Sequence, residues 1–539
     1  MTIDTSSLPA APRPPVRSEC AFVRHSSAPF PLRVEELVRE IPGARLAMTG
    51  APDARITGVH HDSRQIEPGD LFVARAGSHA DGARFVAEAL ARGAAAVLAM
   101  PSVAVTVAGV AKIEVDDVPV ALAYASSAVY GHPTFALEVV GITGTNGKTT
   151  TAHLVQAVID GCGGRAGIVG TLGARFADLD LPPTLTSPEA DELSRIARAM
   201  RDRGAEHLVM EVSSIALIAR RSDAVRFRVA AFTNLTQDHL DYHGSMEAYA
   251  EAKARLFVDL APGSAAINVD DAFGRELVSR VAPPGAPRSL VLARFSTRAG
   301  ASVDEAEIAP IDLTFSRAGI AITARTPAGV VDIASPLFGA HNAQNLLAAL
   351  AIAWLLDLDV ARAAAVLSTS IGVPGRLERV DAPGVDDVIV LVDYAHTPDA
   401  LARVLESVRI LGENGRIVCV FGCGGDRDPK KRPLMGEAVG RGADVAIVTN
   451  DNPRGEDPRA IAESILPGLA GAGAQVIVEL DRRAAIDRAI VAAQPGDVIV
   501  LAGKGHEPYQ IIGAVTHAFD DRDEARRALA VRRAGGGAR

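Results

Sequence analysis

The chain has 539 residues, 48% of them hydrophobic and 22% charged, with a formal net charge of −10. That length predicts three or four domains at about 150 residues each, and the composition excludes disordered and fibrous classes. The acidic balance argues against nucleic acid as a partner, and an anionic substrate must be held by local cations and backbone N–H groups.

Cys20, Cys162, Cys419 and Cys423 show no C-x-x-C pairing, which predicts a reducing, cytoplasmic setting with neither disulfides nor a zinc site. No run of about 18 uncharged apolar residues is present, so no membrane span is expected. Residues 1–30 are rich in Pro, Ser and Ala and lack a secretory apolar core, which predicts a flexible tail. In chain order, "LRVEELVREI" from Leu32 predicts a helix, and "DLFVARAG" from Asp70 a strand. "RFVAEALARGAAAVLA" predicts a helix followed by a strand. "ALEVVGITG" predicts a strand entering a Gly-rich loop, and "KTTTAHLVQAVIDG" a helix closed by Gly161. "HLVMEVSS" and "VAAFTNLT" predict strands, and "NLLAALAIAWLLDL" (345–358) an apolar helix. After "GVPGRLERV" the pattern restarts. "DVIVLVDYAHTPDALARVLESVRIL" reads as strand, turn, helix; "GRIVCVFGCGGDRDPKKRPLMGEAVGRGADVAIVTNDNPR" as strand, Gly-rich turn, helix, strand; and "DVIVLAGKGHE" as a strand. Such alternation predicts an α/β chain with parallel sheets, helices on both faces and ligands at the carboxyl ends of the strands.

"GITGTNGKTT" (141–150) approximates the phosphate loop G-x-x-x-x-G-K-[ST], but Ile142 fills the first glycine slot and Gly144 lies inside the loop. Glycines let backbone N–H groups approach phosphate oxygens, and the helix N-terminus near Lys148 favours negative charge. Lys148 is the candidate contact to the β/γ-phosphates and Thr149 the candidate Mg²⁺ ligand. Glu211, ending a strand, is a second hard oxygen suited to Mg²⁺. Lys253, in the helical "MEAYAEAKARLF", reads from spacing alone as a solvated surface charge.

"TGTNGKTT" is similar to the ATP loop of the Mur ligase superfamily, whose members activate a carboxylate as an acyl phosphate. "DSR" (62–64), "DLFVA", "HADG", "EVSS", "FTNLTQDHLDYHG", "HNAQN", "GRLE", "DYAHTPDAL", "GCGGDRDPKKRPLM", "DNPR" and "GKGHE" extend the resemblance over about residues 33–525. It implies a three-domain Mur ligase architecture, with a central P-loop ATPase domain and a C-terminal Rossmann-like domain. The implied bounds are a flexible tail over 1–32, a UDP-precursor-binding domain over 33–135, an ATP-binding domain over 136–367 and an amino-acid-binding domain over 368–539. It further implies a monomeric, ATP- and Mg²⁺-dependent amide ligase of peptidoglycan synthesis. The implied partners are UDP-N-acetylmuramoyl-L-alanyl-D-glutamate, which supplies the carboxylate, and meso-2,6-diaminopimelate, which supplies the amine.

Residue by residue, the resemblance implies that Gly144, Thr145, Asn146, Gly147, Lys148, Thr149 and Thr150, with Asn345, Arg376 and Asp393, bind ATP. Asn345 also reads as a helix N-cap. Arg376 and Asp393 lie near the start of the third domain, so domain closure would complete the ATP site and exclude water. Lys148, Glu211, His239 and Lys253 would be catalytic, with Thr149, Glu211, His239 and a CO₂-carbamylated Lys253 holding Mg²⁺. Carbamylation requires a neutral amine, hence a lowered lysine pKa. Ser63, Ser78, His79, Ala80, Thr186, Ser187, Ser213 and Arg221 would bind the precursor, and the chain departs from the family pattern at Leu185, Ile215 and Ala219. Arg427, Asp451, Asn452, Pro453, Arg454, Gly503 and Glu507 would bind diaminopimelate, arginine forks taking its carboxylates and acidic groups its ammonium groups. The alternatives are the lysine-adding ligase of the same pathway, which "DNPR" argues against, and folylpolyglutamate synthase, which "DSR" and "HADG" argue against. A P-loop kinase or GTPase has no need of the further α/β units, and the retained Lys148, Glu211, Lys253 and Arg376 speak against an inactive scaffold.

Overall fold

The computed structural model describes residues 31–48, 54–75, 81–105, 107, 109–283, 290–409, 411 and 415–536. Their contacts form two compact units. One comprises the chain up to Ile311 with Thr323–Asp332 and Gln344–Leu367, and the other comprises Asp312–Ile322, Ile333–Ala343 and the chain from Ser368 onward. No helix among the described residues is long and apolar enough to cross a membrane.

The first unit holds a five-stranded sheet in the order Arg45–Met48, Ala111–Glu114, Ala96–Ala99, Leu71–Val73, Val59–His60. It also holds an eight-stranded sheet in the order Leu179–Leu181, Gly173–Phe176, Ala166–Gly170, His207–Glu211, Glu138–Thr143, Phe227–Phe232, Ser264–Asn268, Val291–Phe295. From Ala166–Gly170 to Val291–Phe295 all neighbours are parallel. The chain leaves Glu138–Thr143 toward one edge and leaves His207–Glu211 toward the other. Adjacent strands whose connections diverge open a crevice at their carboxyl ends, and this is where the Gly-rich loop and Glu211 emerge. Helix Ala190–Asp202 covers one face with Leu193, Ile196, Ala197 and Met200, a single helical stripe packed in the core of Val139, Leu208 and Met210.

The second unit carries a six-stranded sheet in the order Glu378–Arg379, Ile389–Asp393, Val498–Ala502, Ile417–Phe421, Val445–Val448, Gln475–Val478, parallel except at the first pair. The all-apolar strand "IVCVF" splits between two cores because successive side chains point to opposite faces. Ile417, Cys419 and Phe421 join Leu401, Leu405, Met435 and Ile465, whereas Val418 and Val420 join Ile486, Ile490 and Leu529. A strand buried on both faces reads as a continuous hydrophobic run.

Three boundaries differ from expectation. Leu32–Arg33 pair as a short strand with Arg55–Ile56, and the helix is Val34–Glu40, because the Glu36 carboxylate accepts the Arg33 N–H and ends the helix there. Helix Lys148–Gly161 is terminated by Gly163 at φ +94°, not by Gly161. Asn345 is not an N-cap: its helix runs Ala340–Leu355, and Asp357 at φ +59° turns the chain out before Leu358. A three-stranded sheet of Ala309–Ser316, Gly319–Thr326 and Gly329–Ser335 precedes that helix and was not anticipated.

Candidate functional site

Strand Glu138–Thr143 ends in the loop, and helix Lys148–Gly161 begins at its lysine. Gly144 (φ +148°) and Gly147 (φ +85°) occupy backbone conformations that favour glycine. A Cβ at Gly144 would collide with Thr233 Oγ1, and one at Gly147 with Asn345 Oδ1. The neighbouring "FTNLT" segment pins the loop: Asn146 N–H donates to Asn234 Oδ1 (2.9 Å) and Thr145 N–H to the Asn234 carbonyl (2.8 Å). Lys148 Nζ curls back to donate to the carbonyls of Gly144 and Thr145, each at 2.9 Å. Thr150 is buried on the first helical turn, and the Thr151 hydroxyl donates to Asn345 Oδ1 at 3.2 Å.

Thr149 Oγ1 donates to Glu211 Oε2 at 2.9 Å, and Thr171 anchors the same carboxylate through its N–H (2.8 Å to Oε1) and hydroxyl (3.2 Å to Oε2). A hydroxyl and a carboxylate thus meet at the strand ends, a donor pair suited to Mg²⁺. No cluster of three or more His, Cys, Asp or Glu side chains assembles for a metal among the described residues. The Thr149–Glu211 pair fits an ion that completes its shell with phosphate and water oxygens. His239 is exposed, at φ +51°, with Nε2 3.5 Å from Asp238.

Lys253 overturns the reading from helical spacing. On helix Met246–Val258 it is 1% exposed, its Nζ donates to the Gly144 carbonyl at 2.9 Å, and it lies 4.2 Å from the centre of the Tyr249 ring. Burial, aided by the nearby Lys148 charge, pushes its ammonium pKa well below the usual value.

Of the residues expected at the precursor, four lie on neighbouring segments. Ser187 Oγ donates to the Glu211 carbonyl (2.9 Å) and accepts from Ser213 N–H (3.0 Å). Ser213 Oγ caps helix Ser214–Ile218, Arg221 donates to the Ser187 carbonyl (3.2 Å) and pairs with Glu189 (2.8 Å), and Thr186 Oγ1 lies 3.4 Å from Thr171 Oγ1. Arg75 joins the same Glu189 at 2.5 Å, a link the sequence reading missed. Ser63 is buried and its hydroxyl donates to Glu88 at 3.0 Å. Ser78, His79 and Ala80 lie outside the described residues.

In the second unit, Asp393 ends a strand, and its carboxylate accepts from the N–H groups of Leu377 and Ala395, each at 2.7 Å. Burial raises its pKa. The Arg376 guanidinium lies 4.7 Å from the Tyr394 ring centre. The loops after three strands of this sheet bring the expected amino-acid contacts together. Asn452 Nδ2 donates to Glu507 at 3.0 Å, Arg454 donates to the Gly425 carbonyl at 2.9 Å, and Gly503 at φ +114° packs on Asp451. Pro453 is buried between Asn452 and Arg454, while Arg427 is exposed. At their centre is Lys504, which sequence reasoning passed over. Fully buried, its Nζ is 3.1 Å from Asn452 Oδ1, 3.4 Å from Glu507 and 3.7 Å from Asp451. The buried Asp451 Oδ1 is the oxygen that faces this ammonium, beyond hydrogen-bond distance.

A parallel sheet with a Gly-rich loop, lysine, hydroxyl and carboxylate at its topological switch defines an α/β P-loop enzyme of phosphoryl transfer. Family models match residues 55–130 (Mur ligase family, catalytic domain), 142–353 (Mur ligase middle domain) and 375–505 (Mur ligase, glutamate ligase domain). A UDP-N-acetylmuramoyl-L-alanyl-D-glutamate–2,6-diaminopimelate ligase of Synechococcus elongatus is 45% identical over 488 residues, spanning 89% of this chain and 95% of the relative. A protein of the same name from Gloeobacter violaceus is 44% identical over 497 residues, 91% and 98% of the two chains. A solved structure of such a ligase superposes with a TM-score of 0.69 at 34% identity, covering 93% of this chain and 99% of the other. The chain belongs to the Mur ligase family.

Proposed function

We propose that this chain is an ATP-dependent ligase that joins meso-2,6-diaminopimelate to the D-glutamate carboxylate of UDP-N-acetylmuramoyl-L-alanyl-D-glutamate, in the cytoplasm, as a monomer. The proposed domains are 33–135 for the precursor, 136–367 for ATP and 368–539 for the amino acid, after a tail over 1–32. The observation that carries the reading is the buried Lys253 on the loop carbonyl of Gly144, its ammonium pKa lowered by burial. A kinase or GTPase needs one loop lysine; a second, buried lysine beside it, whose charged form burial disfavours, is a group that CO₂ can convert to an anionic carbamate.

A carboxylate oxygen of the precursor attacks the γ-phosphorus of ATP, and the bond to ADP breaks. The amine of diaminopimelate then attacks the acyl carbon, phosphate leaves with the bond electrons, and the amine proton passes to solvent. Lys148 swings from the loop carbonyls to the β/γ-phosphates, and backbone N–H groups of Gly144–Thr150 cradle them. Thr149, Glu211, His239 and carbamylated Lys253 would hold Mg²⁺, which would supply charge neutralisation to the transferred group. Asn345, Arg376 and Asp393 are assigned to the nucleotide. Ser63, Ser78, His79, Ala80, Thr186, Ser187, Ser213 and Arg221 are assigned to the precursor. Asp451 and Glu507 take the ammonium groups of diaminopimelate, and Arg427 and Arg454 its carboxylates.

ADP release tests the reading. It should require the precursor, diaminopimelate and Mg²⁺ together. Release with the precursor omitted, or equal release with L-lysine in place of diaminopimelate, contradicts it.

A further inference from the structure

Behind the amino-acid loops lies a buried ion pair. Arg482 opens helix Arg482–Val491 and Asp521 opens helix Asp521–Gly536, and both side chains are 0% exposed. Arg482 Nε and one terminal nitrogen donate to the two Asp521 oxygens at 2.8 and 2.6 Å. That same nitrogen donates to the Ala502 carbonyl at 2.9 Å, and the other terminal nitrogen to the Asn450 carbonyl at 3.2 Å.

Those two carbonyls are not neighbours in the sheet. Asn450 follows strand Val445–Val448 and directly precedes Asp451, whereas Ala502 ends strand Val498–Ala502 and directly precedes the loop to Glu507. Strand Ile417–Phe421 separates them. The guanidinium therefore bridges two loops that share no strand pairing. We propose that Arg482, oriented by Asp521, is a positioning residue for the amino-acid substrate: it sets the spacing between Asp451 and Glu507. A planar fork with five donors reaches two carbonyls and a carboxylate at once; a lysine ammonium cannot reproduce that geometry. Arg482 does not touch the substrate itself. The assignment rests on the proposed addition of diaminopimelate.

The test uses the full-length protein with Arg482→Lys and the double variant Arg482→Met/Asp521→Leu, which removes both charges together. Folding is followed by circular dichroism, and each of the three substrates is varied in turn. The wild type must first ligate diaminopimelate; if it does not, the proposed function falls and this assignment with it. Given an active wild type, the folded variants should raise the KM for diaminopimelate roughly tenfold or more, with the KM for ATP and for the precursor unchanged. A purely structural pair would lower the amount of active enzyme and leave every KM alone. Folded variants with an unchanged KM for diaminopimelate, or failure of all variants to fold, overturn the positioning role while leaving the proposed function intact.

Discussion

Lys148 and Lys253 converge on one carbonyl, that of Gly144, yet carry different charges in the proposed mechanism. Lys148→Ala should leave the fold intact and slow ligation by roughly 10²-fold or more, the scale of losing one preorganised electrostatic group; near-normal ADP release by the folded variant contradicts the loop assignment. Lys253→Ala should be inactive, and short carboxylates should restore part of the activity by supplying the missing oxygen. The folded pKa of Lys253 lies below the ordinary 10.5, so the unfolded chain binds the extra proton in that window. Its contribution to stability is therefore full above 10.5 and is lost as pH falls toward the folded pKa. Prepared without CO₂, the wild type should gain Tm relative to Lys253→Met as pH is raised from neutrality; parallel curves contradict this. Arg454 should select diaminopimelate over L-lysine, because its guanidinium pairs with the extra carboxylate and repels an ammonium group. Truncating one partner of such a buried pair costs about 2–5 kcal/mol, so competition assays of Arg454→Ala should show the preference lost and the KM for the precursor unchanged.

The strand–loop–helix of residues 138–161 was legible because each local signal agreed: an apolar run, glycines, a lysine and a helical pattern. Less was legible where burial depends on distant chain. Lys253 lies on a helix that exposes Glu247, Ala248, Glu251 and Val258 and buries Tyr249, Ala250, Ala252, Ala254, Leu256 and Phe257, and its charged side chain hides from a spacing argument that it belongs to the inward face. Of the adjacent Arg482 and Arg483, spacing does not tell which turns inward; Asp521, 39 residues away, takes Arg482, while Glu524 takes Arg483. Lys504, between two glycines, has no periodicity to read. The start of helix Ala340–Leu355 was missed because the apolar run begins only after Asn345. One half-buried side chain carries a pH consequence. His153, on helix Lys148–Gly161, is held neutral by burial and by Arg175, with its pKa lowered to about 4. The unfolded imidazole binds its proton nearer 6.5, so this contribution to stability is present above 6.5 and is lost as pH falls through 4. His153→Gln should flatten the acid limb of the Tm–pH curve; an unchanged acid limb in the folded variant contradicts the assignment.

At the scale of the whole molecule, the residues proposed for the phosphates lie in one compact unit and those proposed for the amino acid in the other, and the proposed intermediate is an acyl phosphate. Its chemistry leaves an isotopic mark. With the D-glutamate carboxylate of the precursor labelled with ¹⁸O, the attack on the γ-phosphorus passes one labelled oxygen to the phosphate that is later released. Incubation with ATP, Mg²⁺ and diaminopimelate, followed by mass spectrometry of the released phosphate, therefore tests the central claim directly. The account predicts one ¹⁸O atom in each phosphate for each amide formed. Amide formation with unlabelled phosphate would contradict it.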